Sequence, residues 1–180
     1  MFVSQELRKN NIAEYILYMW QIEDIIRAHD CYLPKLRREY ISRYECSDEL
    51  RDEITDWYSN IIRMMTEEGC RESGHIQINN VVVQSLTELH AQLMASPKFP
   101  YYNSQYYKVL PFIVELRNKG SKDVSEIETC LSALYGVMML RLQKQQISDD
   151  TMHAIKEIST FIGMLSDYYK KDKEEGLEFE

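Results

Sequence analysis

The residues of this sequence that could do chemistry are its acids and its four histidines. A dinuclear carboxylate centre in a helical protein needs Glu-x-x-His pairs on two helices with further acids facing inward, because two metal ions require several anionic oxygens at one level of the core. Glu72-Ser-Gly-His75 is the one such pair, and it falls in a glycine-containing turn. Asp150-Thr-Met-His153 is a near match at the exposed start of a helix, and together the two are about what chance supplies. His90 lies beside an apolar seam, where a histidine more often hydrogen-bonds in the core than ligates. His29 and Cys31 stand two residues apart at a helix end, a spacing that rarely turns a base toward a nucleophile. There is no glycine-rich phosphate loop, Gly-x-Ser-x-Gly elbow or HExxH, and Cys31, Cys46, Cys70 and Cys130 form no CxxC pair. These patterns argue for no catalytic residue, no metal and no cofactor, and they lean away from an enzyme.

One acid is out of place. In EYILYMWQIEDIIRAHD, Glu14 to Asp30, the rhythm is that of an amphipathic core helix, yet Glu23 interrupts its apolar face. With Ile12 at 0° and about 100° per residue, Met19 falls at about 340°, Glu23 at about 20°, Ile16 at about 40° and Arg27 at about 60°. A later helix has the mirror anomaly, with Arg141 between the apolar directions of Cys130 and Leu134. A buried carboxylate without a partner would be costly, so Glu23 is expected to pair with Arg27 or Arg141. Glu23, Arg27 and Arg141 are therefore a candidate structural ion pair, or an anion pocket in which Arg141 meets a small ligand.

The elements that must position these residues are helices. Apolar residues recur with period 3.6 throughout, and no segment alternates as a strand does. The pattern predicts an all-α bundle of about seven helices, five long and two short. They run from about Asn11 to Asp30, Pro34 to Tyr44, Ser47 to Gly69, His75 to Ala95, Asn103 to Lys119, Asp123 to Gln145, and Ser148 into a charged tail. The third has the seam Leu50, Ile54, Trp57, Ile61 and Met64. Pro111 should kink or split the fifth, and Gly120 with Ser121 punctuates before the sixth. Residues 1–172 are expected to form a single helical domain, and 173–180 a frayed acidic tail.

The first long helix, EYILYMWQIEDIIRA, set about a dozen residues into an all-helical chain of this length, resembles a bacterial family of uncharacterised all-helical proteins, a domain of unknown function. The resemblance implies an all-α fold and a bacterial cytoplasmic protein. It implies no activity, cofactor or catalytic residue.

Charge and aromatic content bound the partners. The net charge of −8 repels nucleic acid, and the one basic cluster, Lys35, Arg37, Arg38 and Arg43, is followed by the acidic SDELRDEITDW, which would neutralise it. No apolar run is long enough to cross a bilayer, and the N-terminus meets charge too early for a signal peptide. Tyrosine is in excess, with 13 in all, and KFPYYNSQYY packs five aromatics into ten residues. Tyr101, Tyr102, Tyr106 and Tyr107 are thus a candidate interaction surface, against the alternative that their rings cap the core. The sequence favours a non-enzymatic protein acting on a protein partner or on itself, including as a homodimer. The alternative is a bundle with a core pocket for a small anionic ligand near Glu23 and Arg141, or an enzyme built on such a pocket.

Overall fold

A computed structural model describes residues 2–120 and 123–180. Ser121 lies outside the described residues. Among those described there are eight α-helices, one 3-10 turn and no strand, as the all-α reading requires. The helices are α1 (Phe2–Asn10), α2 (Ile12–Ala28), α3 (Leu33–Glu39), α4 (Asp48–Glu67), α5 (Gln77–Ala95), α6 (Pro100–Lys119), α7 (Glu126–Leu142) and α8 (Asp149–Glu175), with the 3-10 turn at Ile41–Arg43. The chain divides into two compact units, one reaching to Glu6 and including Tyr18–Val81, the other made of Leu7–Leu17 and Val82–Glu180.

In the first unit the core is built from Met19, Trp20, Ile22 and Ile26 of α2, Leu36, Ile41, and the α4 face Tyr58, Ile61 and Met65. Ser47 accepts a hydrogen bond from the Leu50 N–H at 3.2 Å and caps α4, and Asp48 and Glu49 suit its electropositive first turn. The buried face of α4, Thr55, Tyr58, Ile61 and Met65, is rotated by about one residue from the expected seam. Tyr58 explains the rotation: its ring fills the core while its hydroxyl reaches that of Tyr44 at 3.4 Å. Gly69 ends the helix with φ 74°, the left-handed position that the Cys70 N–H to Met65 carbonyl bond requires.

In the second unit α6, α7 and α8 pack on one another. Ser125 caps α7 by accepting from the Glu128 N–H at 3.1 Å, and Ser148 caps α8 by accepting from the Thr151 N–H at 3.3 Å. Helix α6 starts at Pro100 and not at Asn103, because proline suits a first turn whose N–H groups have no partner. Pro111 does not split it. Pro111 and Tyr107 both lie on its exposed face, so the carbonyl that loses its donor can bond water. Helix α1 was not foreseen; Asn11 separates it from α2, its side chain accepting from the Glu14 N–H at 3.2 Å. Helix α8 continues through Glu175, and the carbonyl of Phe179 accepts from the Ser96 hydroxyl at 2.7 Å.

Candidate functional site

Glu23 is fully buried, as its helical phase implies, but its partners are not arginines. Oε1 accepts from the Asn79 amide at 2.7 Å and from the Ile76 N–H at 3.1 Å. Oε2 meets Nδ1 of His75 at 2.6 Å, and because a carboxylate can only accept, Nδ1 carries the proton. Trp20, one turn earlier on α2, stacks on the His75 ring at 4.3 Å between centroids. Glu23 thus places a negative charge at the N-terminus of α5, where exposed N–H groups and the helix dipole favour it. Glu68 does the same for the Gln77 N–H.

The expected pairing of Glu23 with Arg27 or Arg141 is therefore corrected. Arg27 bonds Asp24 at 2.7 Å and reaches the carbonyls of Cys70 and Gly74. One turn apart on α2, Glu23 and Arg27 grip the same 70–79 segment, the acid taking its donors and the base its acceptors. Sequence reasoning could not pair them this way because their partner is a turn, with no period to fix its direction. The signal present was His75 itself, directly after Gly74.

A buried carboxylate on an imidazole is also the pair that orients a catalytic histidine toward a nucleophile. Here the neighbouring thiol, Cys70, directs its Sγ to the His75 carbonyl at 3.3 Å and not to the ring. Burial, then the charges of Glu68 and Glu23, push its pKa up, so it is held as a thiol. The cluster is a lock between α2 and the start of α5. Among the described residues no group of three His, Cys, Asp or Glu side chains is placed to hold a metal ion.

Of the four candidate surface tyrosines one is buried and one half-buried. Tyr102 is fully buried, bonded to Nδ1 of His90 at 2.8 Å and packed on Phe161 and Tyr168. Tyr106 is half-buried and donates to Glu126 at 2.8 Å. Burial lowers the His90 pKa, against the opposing charge of Glu126, and raises that of Tyr102. Tyr101 and Tyr107 are exposed, but six residues apart on a helix they point about 120° away from each other and share no face. Three residues of the basic cluster stand in ion pairs, Lys35 with Asp30, Arg37 with Asp52 of α4 and Arg38 with Glu39.

Arg141 lies elsewhere, on a groove of about 880 Å³ within the second unit. Val137 and Ile155 form its buried floor, and Leu17, Leu134, Met138 and Met152 its half-buried walls. Arg141, His153 and Lys156 line it from exposed positions, and no acid does. Among the described residues neither Arg141 nor Lys156 has a carboxylate within ion-pair distance; the Arg141 guanidinium instead lies 3.5 Å from Sδ of Met152. An apolar trough with unpaired cations can hold a molecule that is greasy along its length and anionic at one end.

No helix among the described residues is long and apolar enough to cross a membrane. No curated protein and no solved structure matches the chain. A family model matches residues 1–176, and the chain belongs to that family, a domain of unknown function (DUF4924).

Proposed function

We propose that the protein is a non-enzymatic binding protein whose α7–α8 groove takes an anionic amphiphile, a molecule with an apolar body and a carboxylate or similar head. The observation that carries this reading is the lining: apolar floor and walls, two unpaired cations, and no acid, on a chain of net charge −8. Its volume lies within the range of about 300–1,000 Å³ usual for small-molecule sites. Met138 and Met152 supply flexible, polarisable walls that accommodate different chain shapes. Arg141 offers a fork of donors that matches a carboxylate in two places. Equilibrium binding of dodecanoate, dodecanol and dodecylammonium tests this. Dodecanoate should bind most tightly, and Arg141→Ala should weaken it by about tenfold while leaving dodecanol unchanged. Equal affinity for all three, or no saturable binding, would overturn it.

A second reading, self-association, is favoured by a different face. Ser104, Tyr107, Pro111, Val114 and Asn118 follow one another at steps of three and four along α6, and all are exposed. Lys108 and Glu115 flank the stripe on one side. In an antiparallel pairing of two copies about Pro111, Lys108 of each lies opposite Glu115 of the other. The exposed bond of Glu115 to Lys119 is worth too little to prevent exchange. Lys108→Glu and Glu115→Lys should each be monomeric by light scattering at concentrations where the native chain dimerises, and mixing them should restore the dimer. A native chain that stays monomeric at millimolar concentration removes this reading.

A further inference from the structure

The second unit has a second cleft, of about 210 Å³, between the end of α1 and the last turns of α8. Arg8 and Lys9 line one side, Lys170 and Lys173 the other, with Glu174 the one acid and Ile12, Ser166 and Tyr169 completing it. Among the described residues none of the four cations is in an ion pair. Two are steadied instead by aromatic rings: Arg8 lies 5.7 Å from the Tyr15 ring centroid and Lys173 5.3 Å from that of Tyr169. A ring face holds a cation without neutralising it, so the charge stays available to an incoming anion. Lys170 and Lys173 are like charges at i, i+3 on one helix and Arg8 and Lys9 add to the repulsion, which Glu174 and the electronegative helix ends offset only in part. A bound anion of high charge density reverses that cost.

We infer that Arg8, Lys9, Lys170 and Lys173 form a binding site for a phosphate-bearing ligand. Phosphate is favoured over a carboxylate because its several oxygens and its double charge can engage cations from both walls at once. Ser166 is occupied, its hydroxyl donating to the side-chain oxygen of Asn11 at 3.0 Å. The site is separate from the α7–α8 groove, so the two can fail independently. Its phosphate can come from a soluble molecule or from a lipid headgroup.

The test uses inorganic pyrophosphate on the full chain, with sodium chloride at matched ionic strength as the control. Pyrophosphate should raise the melting temperature and bind saturably by calorimetry, and Lys170→Gln with Lys173→Gln should weaken it at least tenfold. Without ligand the same pair of substitutions should leave the melting temperature unchanged or raise it, the opposite of what a merely structural role gives. Arg141→Ala should bind pyrophosphate as the native chain does. Flotation with vesicles containing phosphatidic acid, against vesicles of phosphatidylcholine alone, separates the sources: selective flotation assigns the phosphate to a lipid, and pyrophosphate binding without flotation assigns it to a soluble ligand. Overturning results are a response to pyrophosphate no greater than to chloride, or binding that survives the double substitution.

Discussion

Replacing Glu23 tests the lock at the start of α5. The carboxylate is at 0% exposure and receives three hydrogen bonds, from His75, Asn79 and Ile76. In Glu23→Gln the amide oxygen keeps Ile76 and Asn79, and its NH2 faces Nδ1 of His75, which can accept if the ring changes tautomer. What is lost is the charge, and charge-assisted bonds are roughly twice as strong as neutral ones. Over three bonds of net worth about 1.5–3 kcal/mol each, partly offset by relief of burying a charge, the loss is about 2 kcal/mol. Glu23→Ala strands all three donors and should cost about 3–5 kcal/mol. Urea unfolding in a Trp57→Phe background lets Trp20, stacked on His75, report the site directly. Double-mutant cycles should show coupling of about 1 kcal/mol between Glu23 and each of His75 and Asn79, and none with Arg141, which shares no partner with Glu23. A cost for Glu23→Gln below about 0.5 kcal/mol, with no coupling to His75 or Asn79, would refute the reasoning.

Acid should weaken the second unit through His90. Burial holds its folded pKa below the ordinary value, so as pH falls through about 6.5 the unfolded chain takes up a proton that the folded one does not. The stabilisation is complete above that pH and lost below it, and His90→Gln should show a shallower decline in unfolding free energy between about pH 7 and pH 5. Lys144, at φ 56° after α7, occupies a left-handed position where its Cβ is strained, so Lys144→Gly should stabilise by about 0.5–1 kcal/mol in urea melts. The Cys130 thiol, fully buried and pushed up to about 12, should resist iodoacetamide at pH 8 while the partly exposed Cys46 reacts, and yield only on addition of urea.

The sequence showed the helices well because their apolar faces repeat locally, and it placed Glu23 inside the core by phase alone. It misjudged Glu23's partner because His75 sits in a turn whose direction is set by tertiary contact and not by period. Tyr102 departs from the surface reading for a smaller reason. Tyr102, Gln105, Val109 and Ile113 make one buried face of α6, and starting that helix at Asn103 left Tyr102 outside the pattern. Helix α1 escaped notice because FVSQELRKN buries only Ser4, so there was little apolar face to see. The groove at Arg141 is half legible: the arginine is anomalous on its helix, but the α8 side comes from Met152 in the wall and Ile155 in the floor, and no spacing within one helix predicts a neighbour's face.

The groove assignment is tested most directly by labelling the methionine methyl groups with carbon-13 and titrating dodecanoate by NMR. With dodecanoate in the groove the Met138 and Met152 signals, from its wall, should shift saturably together, while Met65, buried in the first unit, stays fixed. Arg141→Ala should move the midpoint to about tenfold higher dodecanoate. Unchanged Met138 and Met152 signals at saturating dodecanoate, or shifts confined to other methionines, would contradict it.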